Sequence, residues 1–157
     1  MHPDAERNLA ATRRLAELVA RLNPETLELS LGGGWTVYMA LGHLAFWDGR
    51  QRAVLEHYVD TGRLLGSEAP EPHNPDDLTN EALEPLLALA DREGVCDLVV
   101  EAAQAVDELV ASLDEDRLGQ VLAGEHAYVV RRWRHREEHI EQVEAALAAS
   151  DSGLRAR

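Results

Sequence analysis

Seven histidines are spread along this 157-residue chain, and two of them are spaced for chemistry. In His135-Arg-Glu-Glu-His139 the imidazoles stand at i and i+4. On a helix that spacing places them on one face, with Cβ atoms about 5 to 6 Å apart. Two ring nitrogens can then meet one divalent ion at about 2.0 to 2.1 Å each. With seven histidines in this length, chance alone supplies about 0.3 such pairs, so the spacing equally describes two half-exposed surface residues. A third ligand has to come from another element. His43 is the candidate, because it interrupts the apolar run Met39-Ala-Leu-Gly-His43-Leu-Ala-Phe-Trp47. A lone imidazole there is either a core histidine satisfied by one hydrogen bond or a ligand. His57 lies about 21 Å further along the same helix axis and cannot share an ion with His43. His126 falls opposite His135 on a helical wheel, and His2 and His73 sit in the tail and in a proline-rich loop, where solvation is expected.

Around these residues, Arg131-Arg132-Trp133-Arg134-His135-Arg136 forms a basic cluster. On the wheel, Arg132 and Arg136 fall between the histidine edge and the apolar stripe Val129, Trp133, Ile140, Val143 and Leu147. They could bind an anionic substrate group such as a carboxylate, or they could pair with acids on neighbouring helices. Trp47 follows His43 by one turn on the same face and could wall a substrate pocket or pack in the core. Cys96 reads as a small core residue. The chain has no nucleophile elbow, no CxxC and no phosphate-binding loop. Gly32-Gly33-Gly34 precedes a helix but lacks the lysine and spacing of a P-loop.

The elements that must position these residues read as helices. Residues 4 to 22 carry Ala11, Leu15, Leu18 and Leu22 at helical spacing, with Asp4 as the expected cap. Asn23-Pro24 breaks that helix, a short helical turn is expected at 24 to 29, and the three glycines stop it. A second long helix is expected over 36 to 60, capped by Thr36. Its buried face is Val37, Leu41, Leu44, Gln51, Leu55 and Tyr58. Residues 62 to 78 read as a long loop. The 80 to 93 segment, with Pro85 and Gly94, reads as a short helix or a kinked start of the next. The stretch 95 to 113 carries a stripe of Leu98, Val99, Ala102, Val106, Leu109, Val110 and Leu113. Residues 114 to 124 read as a connection, and 125 to 149 as the last helix. The fold class expected is all-α: one four-helix bundle over residues 1 to 157, with a long crossover between helices 2 and 3 that permits parallel as well as antiparallel neighbours.

Composition agrees with that class and narrows the function. Hydrophobic residues make up 45% of the chain, enough for a core. The 29 acidic residues outnumber the 15 basic ones. The resulting surface repels nucleic acid and anionic membranes, so neither is an expected partner. Every basic residue is Arg, which with the many Ala, Leu and Gly suggests a GC-rich bacterial genome. A single cysteine excludes an intrachain disulfide and suits a reducing cytoplasm. The charged N-terminal segment lacks the apolar stretch of a signal peptide, and no apolar run approaches the about 20 residues of a membrane span.

Gly34-Trp35-Thr36-Val37 followed by His43-Leu44-Ala45-Phe46-Trp47-Asp48 resembles the start of the second helix in the DinB-like superfamily, which includes the YfiT-like proteins and the N-terminal domains of mycothiol-dependent maleylpyruvate isomerases. His135-x-x-x-His139 resembles its second signature, about ninety residues further on. The resemblance implies a four-helix bundle with one long crossover and a metal triad of His43, His135 and His139. It implies a divalent ion, commonly nickel or zinc, with open positions for a small-molecule substrate, and it allows a low-molecular-weight thiol as co-reactant. The isomerases carry a further C-terminal domain. Because this chain ends at residue 157, maleylpyruvate isomerisation itself is not expected. The expectation is a metal-dependent hydrolase, or a thiol-dependent transferase or isomerase, in a homodimer. The alternatives are a small-molecule-binding or protective protein and a dimeric bundle without metal.

Overall fold

A computed structural model of the chain describes residues 1–63, 75–124 and 126–155. Four long helices dominate: α1 (Pro3–Val19), α3 (Val37–Thr61), α5 (Arg92–Ser112) and α7 (Arg132–Arg155). Between them lie the short helix α2 (Pro24–Leu27), a two-stranded antiparallel hairpin of β1 (Ser30–Gly32) and β2 (Trp35–Thr36), α4 (Pro75–Leu87), α6 (Glu115–Ala123) and a 3₁₀ turn at Ala127–Val129. Among the described residues, no helix is long and apolar enough to cross a membrane.

Two apolar clusters set the helix directions. One gathers Leu15 and Leu18 of α1, Val37 to Ala45 of α3, Val95 to Ala103 of α5, and Ile140 and Val143 of α7. The other gathers Ala5, then Val54, Leu55 and Tyr58, then Val106 and Val110, with Val129 and Val130. So α3 and α5 run parallel, start beside start. Helices α1 and α7 run parallel to each other and opposite to that pair. Each long helix packs on two others, in the ring order α1, α5, α3, α7. Parallel neighbours in sequence need a long connection, and residues 62 to 91 supply it, with α4 lying along α3 inside it.

Several boundaries differ from the sequence reading. The N-cap of α1 is His2, whose Nδ1 accepts the Asp4 backbone N–H at 3.1 Å. Asp4 is buried instead, held by Arg131 and Trp133 of the last helix region. Thr36 does occupy the N-cap of α3, but its hydroxyl makes no capping bond. The glycines expected to stop a helix form a hairpin turn, with φ of 91°, 59° and 88° at Gly32, Gly33 and Gly34. Only glycine adopts three such angles in succession at little cost. Within the segment read as a long loop, α4 begins at Pro75, a favoured first helical residue. Asp91 starts α5 early by accepting the Gly94 N–H at 2.7 Å. Asp114 caps α6 where a connection was expected, and the last long helix starts at Arg132 rather than near 125. His73 and the prolines at 70 and 72 lie outside the described residues.

At the centre of the ring sits a polar group that the apolar stripes did not announce. Arg136 is 0% exposed. Its Nε donates to Asp48 at 2.8 Å, and its Nη1 donates to both carboxylate oxygens of Asp107 at 2.9 Å and to Thr12 Oγ1 at 2.7 Å. Its remaining bonds go to the carbonyls of Asn8 and Ala103. All four long helices therefore meet on one guanidinium. Burial pushes the Asp107 carboxyl up, and the Arg136 charge and the Thr12 hydroxyl pull against it. Removing one partner from such a pair strands a buried charge, which costs about 3 to 5 kcal/mol. Urea unfolding of Arg136→Met is therefore expected to show a loss of about that size. Arg14→Gln, which breaks the half-exposed Arg14–Glu144 pair, should cost less than about 1 kcal/mol. Similar losses in the two variants would refute the central role of Arg136.

Candidate metal centre

His43 lies in the first half of α3, buried by the neighbouring helices. Gly42 beside it lets them come close: a Cβ there would stand 2.7 Å from Leu87 of α4 and 3.4 Å from Val95 of α5. His135 and His139 stand one turn apart on α7, both half-buried, at the edge of the core as the wheel places them. The structure brings the three expected ligands together. Each offers one ligand atom, and these atoms lie within 4.8 Å of one another. Ring centroids are 5.1 Å apart for His43 and His135, and 4.9 Å for each of the other two pairs. His43 Nε2 and His135 Nε2 face each other at 3.1 Å. Two nitrogens bound to one ion at about 2.0 to 2.1 Å stand about 2.9 Å apart at a right angle and about 3.3 Å apart at the tetrahedral angle. The observed pair falls between those values.

The three rings are held neutral. Burial is the main cause of a low pKa for His43, about 4, with His139 and Arg132 adding to it. Burial and then the Arg132 charge lower His135 further, to about 2. Burial also lowers His139, against the opposing pull of Gln142 and Glu138. Neutral imidazole is the form that binds metal.

Hydrogen bonds assign the ring protons. His139 Nδ1 donates to Gln142 Oε1 at 2.9 Å, which leaves the Nε2 lone pair free. Arg132 Nη2 lies 3.0 Å from His135 Nδ1. A guanidinium only donates, so that Nδ1 accepts and the neutral His135 ring carries its proton on Nε2. The proton is donated to His43 Nε2, and His43 then carries its own on Nδ1, which is buried without a partner among the described residues. An unpaired buried donor costs about 1 to 3 kcal/mol. Two imidazoles thus spend their ligand atoms on each other, and one is left with an orphan donor. A cation facing all three Nε2 atoms would replace the first arrangement, and the donor set fits such an ion.

Two cavities open on this group. One, of about 530 Å³, is lined by Leu31, Gly32 and Trp35 of the hairpin and by Ala40, Asn80, Glu138 and Gln142 beside the histidines. Trp35 meets His43 edge-on at 5.5 Å between ring centroids. The other, of about 250 Å³, adjoins His43 and His135 and is lined by Trp47, Gln51, Asn80, Tyr128 and Arg132.

The expected substrate-contacting residues divide. Trp47 is largely buried, donates from Nε1 to Asn80 Oδ1 at 3.1 Å, and lines the smaller cavity. Arg132 lines the same cavity, yet its Nε is committed to Asp48 at 2.6 Å. Arg136 is a correction. It is sealed in the bundle centre, because Asp48 and Asp107 draw it inward, and it lines neither cavity. The sequence reading missed Asn80, Gln142 and the hairpin residues. Gln142 carried a signal, standing three residues after His139 on the same helix face. Asn80 and the hairpin carried none, since they reach the site only through the crossover and a glycine turn. His126 and His57 stay outside the group, as expected. Cys96 packs half-buried against the apolar core, and burial pushes its thiol pKa up, away from the thiolate form.

The DinB superfamily sequence profile matches residues 8–143. The chain belongs to that superfamily. No curated protein and no solved structure matches it. The match covers α3 and α5 whole, most of α1 and the first half of α7, and includes the three histidines.

Low histidine pKa values couple this site to stability. An unfolded chain takes up protons below about pH 6.5, which the folded His43 refuses until about 4 and His135 until lower still. The metal-free protein should therefore lose stability as pH falls from about 6.5 toward 4. Urea midpoints measured from pH 7.5 to 4 should fall, and the fall should be shallower in His43→Gln. A slope unchanged by that substitution would contradict the neutral state assigned to His43.

Proposed function

We propose that this DinB superfamily member binds one divalent ion, nickel or zinc, through His43, His135 and His139. We propose further that it uses the ion on a small anionic molecule, as a hydrolase or as a transferase or isomerase with a low-molecular-weight thiol. The observation that carries this reading is the convergence of three neutral imidazoles, two of them with facing Nε2 atoms 3.1 Å apart, at the mouth of two cavities. Three protein ligands leave open positions, which is the pattern of a catalytic rather than a structural site. An ion bound there supplies Lewis acidity, polarising a carbonyl or lowering the pKa of a water or thiol.

The chain's own residues do the rest. Gln142 fixes the His139 ring by accepting its Nδ1 proton. Trp35 and Trp47 flank His43 and limit its ring to one orientation. Glu138 places a carboxylate on the wall of the larger cleft, where it can take or give a proton at its oxygen.

Metal analysis of protein purified without a histidine tag tests the reading. One ion per chain is expected, and none in His43→Ala. At an ion concentration a hundred times Kd, the ion should stabilise the fold by about 2.7 kcal/mol, and a chelator should remove that gain. A Tm indifferent to chelator would sink the proposal. Gln142→Leu should keep the fold and weaken metal affinity by about ten- to a hundred-fold, the usual effect of losing a hydrogen-bond partner of a ligand histidine. A competition titration with a chromogenic chelator measures it.

A further inference from the structure

In the smaller cavity, uncommitted donors outnumber uncommitted acceptors. Trp47 Nε1–H donates to Asn80 Oδ1, which uses the amide oxygen and leaves the NH2 group. Arg50 Nη1 donates to Gln51 Oε1 at 3.4 Å, so Gln51 also keeps its NH2 group. Arg132 is donor only. The Tyr128 hydroxyl can also accept, and the Asn80 and Gln51 amide oxygens each keep one further lone pair. Among the described residues, no carboxylate lines this cavity, although the chain has 29 acidic residues. Asp48 is 0% exposed and is engaged by both Arg132 and Arg136. Glu138 lines the other cleft. A wall with a guanidinium, two free amide NH2 groups and no carboxylate among the described residues favours a ligand that only accepts.

Arg132 adds a second observation. Its Nη2 is parked on His135 Nδ1. With His135 Nε2 given to a metal, the ring's proton belongs on Nδ1, and two donors then face each other. Nη2 must find another acceptor, and no carboxylate among the described residues of the cavity offers it one.

We propose that this cavity is a carboxylate subsite, in which Arg132, Gln51 and Asn80 hold the anionic end of a small substrate against Trp47 and leave its reacting end at the three histidines. Its strengthening by metal rests on the reading of the metal centre. The donor wall does not.

Sodium propionate is the probe, with propionamide as the neutral control of the same shape. It is titrated into the zinc-loaded and zinc-free full chain while the Trp47 indole N–H signal is followed by NMR. A saturable shift with propionate and none with propionamide is expected, tighter in the zinc-loaded protein. Gln51→Glu sets a like charge in the cavity while leaving the histidines and the buried ion pairs in place. It should weaken propionate by about ten-fold or more with zinc affinity unchanged. Asn80→Asp, at a half-buried position, repeats the test should Gln51→Glu fail to fold. Propionate bound equally by wild type and the variants would mean direct coordination alone and would overturn the subsite, as would an equal response to propionamide. Failure of zinc to bind would remove the metal reading and leave the zinc-free titration to decide. A propionate shift that Gln51→Glu abolishes would then uphold the subsite, and no shift would overturn it.

Discussion

One guanidinium holds the bundle's register. Arg136 lies at the junction of the two apolar clusters, where it bonds to Asn8 and Thr12 of α1, Asp48 of α3, and Ala103 and Asp107 of α5. Apolar stripes fix which faces of helices meet but set their axial slide only loosely. A forked, five-donor group with named acceptors on three other helices has one satisfactory slide. Arg132 and Arg136 are matched by Asp48 and Asp107, so the network sets two cations against two acids.

The histidine cluster inherits that register. Asp48 stands five residues after His43 on α3, and it binds Arg132 and Arg136, the residues that bracket His135 on α7. Fixing Asp48 against this pair fixes His43 against His135 and His139. Arg132 then reaches from the ion pairs to His135 Nδ1, so the packing core and the ligand face share a side chain. The same burial that makes the ion pairs necessary keeps the imidazoles neutral, because a protonated ring beside Arg132 would add an unpaired charge.

The sequence made the long helices legible, and it made the buried face of α3 legible residue by residue: Val37, Leu41, Leu44, Gln51, Leu55 and Tyr58 are all buried. Periodicity reports apolar contact, and there it was a sufficient signal. It failed at Leu98, an apolar residue on the expected stripe of α5 that is 54% exposed, while Asp107 on the same helix is buried. Hydrophobicity cannot rank a buried aspartate whose partner lies on another helix. Caps at Asp91 and Asp114 were present as residue types, yet two glycines drew the reading of 114 to 124 toward a connection. Gly119 sits inside α6. The three histidines were legible as a set only through the family resemblance, because their spacing on separate helices has no period. Arg136 was misplaced because an angle on a wheel does not say which acid waits across the core.

A buried ion network of this kind is poorly explained by stability. Desolvating four charges cancels most of their mutual attraction, and well-packed apolar residues of similar volume often stabilise as much. Discrimination between alternative alignments is different. In a bundle rich in Leu, Val and Ala, a slide of α7 by one turn exchanges one apolar contact for another of nearly equal worth. The same slide separates Arg136 from Asp48 and Asp107 and strands charges in the core. It also moves His135 and His139 about 5.4 Å past His43, further than the 4.8 Å that now contains all three ligand atoms. The network therefore penalises the misaligned states that would dismantle the histidine cluster. That is the physical reason for polar residues at the centre of this bundle when its apolar surfaces alone would suffice to collapse it.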